Sequence, residues 1–245
     1  MVTFSMSLYK TALLSALLFF TIQAYGQECQ LSVSIEPAQH NPVSKLFYGN
    51  SLFLQSYSLL KTLISKTPCT LEIIPLPSNR ALKMLEDGSL EVMVGMSKTQ
   101  AREKHSYFVG SFHTERIVVV GNHKVKPSPT DLESILDTDG LISITNGAYY
   151  GVQWEEALKT DPMLKHRLVY LSDNQRKLSM LMLNRVTFSL EDEQVIDEFL
   201  KREEYKEHFT KLFVLHENPV YFAFSKKAIS KKLHQLLIKE LIVQV

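Results

Sequence analysis

The chain has 245 residues, 45% of them hydrophobic and 22% charged, a balance that excludes both disorder and fibrous repeats. Nine glycines and nine prolines exclude collagen-like and low-complexity architectures. With 27 basic and 26 acidic residues the formal charge is +1, so there is no global basic field to hold nucleic acid.

Residues 1–26 place one positive charge, Lys10, before an apolar run from Thr11 to Ile22, and they end in Ala24-Tyr25-Gly26. That order of charged, apolar and small residues predicts a cleavable secretory signal peptide. A membrane anchor needs about 18 apolar residues, more than this run holds, and polar Gln27 and Glu28 follow it. No Cys stands directly after the small residues, which argues against a lipoprotein. Cleavage is expected at or near Gln27, delivering a mature chain to the periplasm. Loss of Lys10 leaves that chain neutral.

Cys29 and Cys69 open two strand-like stretches, Cys29 to Ile35 and Cys69 to Ile74. In an oxidising compartment paired thiols become disulfides. If the two stretches are neighbouring parallel strands, the sulfurs meet at their starts. The absence of CxxC spacing and of a nearby His cluster argues against zinc.

Strand-like and helix-like segments then alternate. Leu31 to Ile35 reads as a strand, Leu52 to Ile64 as a helix, Leu71 to Ile74 as a strand, and Asn79 to Glu86 as a helix ended by Asp87-Gly88. Leu90 to Met96 and Glu115 to Val120 follow as buried strands. This βαβαβ order predicts a mostly parallel sheet covered by helices. After a polar link from His123 to Asp131 the pattern restarts, with strands at 141–145, 168–171 and 186–190. Helices are expected at 149–159, 174–183 and 193–202, the first carrying Trp154 as a core residue. Phe213 to Phe224 reads as two strands joined through Asn218-Pro219, and a final amphipathic helix starts at Lys227.

The order of motifs is informative. Arg80-Ala81-Leu82, Leu85 and Gly88 precede a strand that ends in Gly95-x-Ser97-x-Thr99-x-x-Arg102, with Tyr107-Phe108, Phe112 and Glu115-Arg116 beyond it. Ile144 to Gly151 and Asn184 to Asp192 follow. This series resembles the family-3 periplasmic solute-binding proteins, the amino-acid receptors of ABC importers and their relatives. It covers nearly the whole mature chain. The resemblance implies a type II periplasmic binding protein fold of class α/β. Each of its two lobes would be a mostly parallel sheet flanked by helices, and a two-strand hinge would join them. Lobe one would be 27–120 and 217–245, and lobe two 121–216.

By the same resemblance, Arg102 would clamp a ligand carboxylate with its planar fork of donors. Gly95, Ser97 and Thr99 would assist it. Asp192 from lobe two and Glu36 from lobe one would hold the ligand ammonium, although Glu191-Asp192-Glu193 equally suits a helix N-terminus. Ala148 and Tyr149 would contact the carboxylate, and Arg80 would lie near the cleft. The family's aromatic residues after the first strand are missing between Glu36 and Pro42, and Thr187 replaces its usual Asp. The fold therefore transfers further than the ligand.

The expected function is non-enzymatic binding of a small polar solute, an amino acid or related carboxylate, by a monomer. An inner-membrane ABC permease or a membrane kinase would be the partner. The alternative is a small-molecule enzyme on the same fold, resembling cyclohexadienyl dehydratase. No cofactor is implied, and the scattered histidines show no metal-ligand spacing.

Overall fold

The computed structural model describes residues 29–35 and 52–242, apart from positions 125, 127 and 173. Residues 1–26, expected to be a signal peptide, and Glu36 lie outside the described residues. Strand β1 (Cys29–Ile35) and strand β2 (Cys69–Pro75) pair in parallel and in register, with Cys29 opposite Cys69. A disulfide joins these two residues across 4.4 Å between Cα atoms. Helix α1 (Leu52–Ile64) connects the strands and buries Leu60, Leu63 and Ile64 beside Leu31 and Val33. Helix α2 (Ser78–Asp87) buries Ala81 and Leu85 against the opposite face of the sheet. It stops at Gly88, whose φ of 90° is left-handed and whose N–H donates to the Met84 carbonyl. A Cβ there would come within 2.7 Å of the Lys227 Cβ. Strand β3 (Val92–Ser97) then pairs with β1 in parallel.

Two long strands organise the rest. After the short helix α3 (Gln100–Glu103) comes β4 (Ser106–Asn122), which runs antiparallel to β8 (Phe209–Ser225). Each has 17 residues, and their ladder extends from Ser106 opposite Ser225 to Asn122 opposite Phe209. The expected break at Asn218-Pro219 does not occur. Pro219 pairs with Thr114 one residue beyond Val220, the last partner of β3. There β8 has become an edge, the setting in which a strand tolerates a missing N–H.

The second half contains α4 (Leu132–Leu136), β5 (Ile142–Thr145), α5 (Val152–Thr160) and β6 (Leu168–Leu171). It continues with α6 (Asn174–Met182), β7 (Phe188–Asp192), α7 (Glu193–Leu200) and α8 (Glu203–Lys206). Helix α9 (Lys231–Ile242) follows β8 and packs Leu237 into the first half's core. The full strand order is β2-β1-β3-β8-β4-β7-β5-β6. Pairing is parallel among β1, β2 and β3 and among β5, β6 and β7, and antiparallel wherever β4 or β8 takes part. Both sheet faces are covered. Ile117 and Val119 enter a core with Trp154, whereas Val118 and Val120 enter one with Leu178 and Phe199. A strand buried on both faces reads as the unbroken apolar run seen here.

Pairing of β7 with β4 begins at Ile117, and pairing of β3 with β8 ends at Val220. Between those points β4 and β8 have only each other, a two-stranded ribbon joining the halves. The lobe boundaries expected after 120 and after 216 fall inside these two strands. Among the described residues no helix is long and apolar enough to cross a membrane.

The disulfide closes a sequence separation of 40 residues. Cys69→Ser should lower the unfolding free energy by about 4 kcal/mol in the chain-entropy account. Urea denaturation with and without reductant measures this, and an unchanged midpoint would contradict it.

Candidate functional site

At the end of β3 the chain turns sharply. Thr99 caps α3 by accepting from the Arg102 N–H at 3.3 Å, which turns the Arg102 side chain back toward β3. Its Nη1 donates to the Ser97 carbonyl and its Nη2 to the Gly147 carbonyl, both at 2.9 Å. Ser97 belongs to the first half and Gly147 to the loop between β5 and α5, so one guanidinium bridges the two. The loop approaches closely. Gly147 has φ of 83°, and a Cβ on it would lie 3.3 Å from the Asn79 Cα at the start of α2.

Behind this bridge is a cavity of about 320 Å³, at the small end of the roughly 300–1,000 Å³ usual for small-molecule sites. Gly95, Ser97, Arg102, Ala148, Tyr149 and Asp192 line it. Gly95 has φ of 74° and open space where a Cβ would stand. Thr99 acts as the α3 cap and is not in the cavity wall. Arg80 is exposed on α2 and away from the cavity, whereas Ser78 lines it. Apolar walls come from Leu76, Leu82, Met93 and Phe112, the last stacked on Phe222 with 4.3 Å between ring centroids.

Two groups in the wall are additional to the residues to which the resemblance assigns a binding role. Glu115, in β4, lines the cavity beside Asp192 and Arg102. Burial chiefly, with repulsion from Asp192 added and attraction to Arg102 opposing, pushes its carboxyl up to about 8. Its sequence signal was a lone charge on the face of β4 that Ile117 shares. Asp192 caps α7, its Oδ1 accepting from the Gln194 N–H at 2.7 Å and the Val195 N–H at 3.4 Å. Burial raises its pKa while those two bonds lower it. The cap and cavity positions coincide, so the two readings of this acid are compatible. Burial lowers the pKa of Arg102, and Glu115 opposes that.

Lys177 and Glu191 form the second addition. The Lys177 Nζ lies 2.7 Å from Glu191 Oε2, and both side chains are at most 2% exposed. The same ammonium donates to Thr145 Oγ1 at 2.9 Å and to the Leu190 carbonyl at 3.2 Å. Ser189 Oγ donates to the other Glu191 oxygen and accepts from Ser143 Oγ. The ammonium thus has two oxygen acceptors and a carboxylate counter-charge, which makes this pair a structural floor. Lys177 lies four residues before buried Leu181, so a lysine on the apolar face of α6 was its signal.

No protein-family model matches the sequence, and no curated protein matches it. Solved structures do. The chain is similar to the arginine-bound form of truncated ArgBP from T. maritima, with TM-score 0.69, 16% identity, and coverage of 88% of this chain and 96% of that one. It is similar to the amino acid ABC transporter substrate-binding protein AbpA from Streptococcus pneumoniae bound to L-arginine, with TM-score 0.66, 16% identity, and coverage of 87% and 88%. A histidine kinase sensor domain with similarity to periplasmic binding proteins matches at TM-score 0.68 and 10% identity, over 89% and 90% of the two chains. These likenesses carry the fold. The chain has a mixed α/β fold like that of these periplasmic binding proteins.

Two outcomes follow from the charges. A carboxyl raised from 4.5 to about 8 contributes stability that is complete below about pH 4.5 and lost as pH rises through 8. Glu115→Gln should therefore raise the melting temperature at pH 9 by roughly 5–10 °C and leave it nearly unchanged at pH 5. An equal shift at both pH values would contradict the assignment. Lys177→Met should cost about 3–5 kcal/mol by leaving Glu191 buried and uncompensated, and adding Glu191→Leu should recover most of the loss. Urea denaturation of the single and double variants reads both numbers.

Proposed function

We propose that this chain is an extracytoplasmic, two-lobed receptor that binds a small polar solute, an amino acid or related carboxylate, between its halves. The observation that carries the reading is the gathering of Arg102, Asp192 and Glu115 in the wall of one small cavity. A guanidinium fork suits a carboxylate, and the two acids suit a cation. A mostly apolar wall with a few convergent charged groups is the usual composition of such a site. Residues 27–120 with 217–245 would form one lobe and 121–216 the other, pivoting on the β4–β8 ribbon. The ligand would favour the closed state by touching both lobes at once. Export by a cleaved signal peptide would place the protein in the periplasm, consistent with the Cys29–Cys69 disulfide.

The partner would be an inner-membrane ABC permease, in line with the similarity to a transporter's substrate-binding protein. A second reading, presentation of the closed form to a membrane kinase, is favoured by the likeness to a kinase sensor domain. The reading is non-enzymatic. Lys177, the one buried amine in the wall among the described residues, is ion-paired with Glu191 and donates to Thr145 and Leu190, contacts that oppose a nucleophilic role.

The test is a thermal-shift screen of the purified protein against the common L-amino acids, small dicarboxylates and polyamines. At least one amino acid or carboxylate should raise the melting temperature without being consumed. Arg102→Ala should then weaken that ligand about 30- to 5000-fold, the equivalent of about 2–5 kcal/mol, and Arg102→Lys should restore little. Full affinity in a folded Arg102→Ala protein, or turnover of the ligand, would overturn the reading.

A further inference from the structure

We propose that Glu115 sets the ligand class of this cleft: it holds a second cation of a net-positive amino acid, and it releases a proton as that cation binds. The inference deepens the binding reading above and rests on it. It begins from position. Glu115 stands in the β4–β8 ribbon opposite Asn218, two residues before Ile117, whose register partner across the sheet is Asp192. Residues two apart on a strand share a face. Glu115 and Asp192 are therefore diagonal neighbours on the cavity side, close enough for their charges to repel.

A charge count then separates ligand types. Lys177 and Glu191 cancel each other within the wall. Glu198, which also lines the cavity, is paired with Lys201, so among the described residues what remains facing the ligand is one cation, Arg102, and two carboxyls, Glu115 and Asp192. A simple zwitterion brings one carboxylate for Arg102 and one ammonium for Asp192, and the site is neutral only if Glu115 keeps its proton. A ligand with a further cation balances the site only if Glu115 is ionised. Glu115 is poised for that change, because burial and Asp192 together hold its proton up to about pH 8 in the empty cavity. The arriving cation reverses both effects, and the proton leaves for solvent.

Other groups near Glu115 set the controls. Tyr150, on the β5–α5 loop, senses Glu115, but its phenol is pushed up by burial and its oxygen accepts from the Thr145 N–H at 2.7 Å. His113, on the same strand, acts on Asp192. From β8, His216 packs edge-on against Tyr149 with 5.3 Å between centroids, and burial lowers its pKa. A pH-dependent affinity can also arise from His216, so the slope must be assigned by substituting Glu115 itself.

The experiment is calorimetric titration of the full protein with L-lysine, L-arginine and L-glutamine at pH 6, 7 and 8, in paired buffers of unlike ionisation heat. For the wild type, affinity for L-lysine or L-arginine should rise by up to about tenfold per pH unit, with up to one proton released per ligand. Affinity for L-glutamine should be flat. In Glu115→Gln the slope and the proton release should vanish, and the preference for the cationic probes over L-glutamine at pH 8 should fall by about tenfold or more. Glu115→Asp should retain a slope. Cationic probes that bind Glu115→Gln with the wild-type affinity and slope would overturn the inference while leaving the receptor reading intact. So would a wild type that binds some neutral or acidic amino acid but neither L-lysine nor L-arginine. A wild type that binds nothing in the wider screen would remove the receptor reading, and this inference with it.

Discussion

The structure depends on one ladder of backbone hydrogen bonds, that between β4 and β8. At one end β8 is interior, flanked by β3 and β4, and at the other β4 is interior, flanked by β8 and β7. The two strands exchange the roles of edge and centre as they cross the molecule. In the middle, at Thr114 to Arg116 opposite Glu217 to Pro219, neither has a second neighbour. A two-stranded ribbon is the least supported form of sheet and the most readily twisted. Irregular pairing gathers around it, with register shifts between Val109 and His113 and between Ile117 and Val118. Displacement of one half against the other would concentrate at this ribbon, because the flanking cores are packed on both faces.

The same crossing brings charge into a small volume. Glu115 stands on the ribbon, Arg102 comes from the turn after β3, and Asp192 ends β7. Their environments contrast with that of Lys177 and Glu191, although all five line one cavity. The Lys177 ammonium donates to Thr145 Oγ1 and the Leu190 carbonyl and is ion-paired with Glu191, whose other oxygen accepts from Ser189. A buried ion pair is tolerable only when satisfied in this way. Glu115, by contrast, lies among a repelling carboxylate and an arginine whose Nη1 and Nη2 donate to carbonyls. The buried charge that is closed within the protein supports the wall, and the charge left open is what a solute can complete.

How much of this was legible in the sequence follows from how local each signal is. The alternation of apolar runs gave β1, β2, β3 and β5 to β7 to within a few residues, because strand burial is written in consecutive side chains. The extent of β4 and β8 was not legible. Ser106 to Thr114 carries glycine, histidine and serine that belong to a bulged strand, and Pro219 reads as a break until its position at a sheet edge is known. The disulfide followed from two cysteines at the starts of adjacent strands. Gly95, Ser97 and Arg102 of one contiguous motif line the cavity together, whereas Thr99 of the same motif does not. Glu115 and Lys177 were hidden because each becomes meaningful only beside a partner on another element, Asp192 in one case and Glu191 in the other.

The bridge made by Arg102 bears on what a ligand can achieve. Its Nη2 bond to the Gly147 carbonyl joins the two halves directly, so part of the free energy that holds them together comes from the protein's own groups. A solute shifts an open–closed equilibrium only by the difference between its affinities for the two states. Contacts made to one half alone bind without closing. On the binding reading proposed above, discrimination comes from groups that reach the ligand together only when the halves meet, which would be Arg102 from one side and Asp192 from the other, with Glu115 on the ribbon between them. A ligand that fails to balance those three charges closes the cleft around an uncompensated ion, whose desolvation opposes closure. Selectivity for charge and the stability of the closed form are therefore one free energy, determined by the same three side chains.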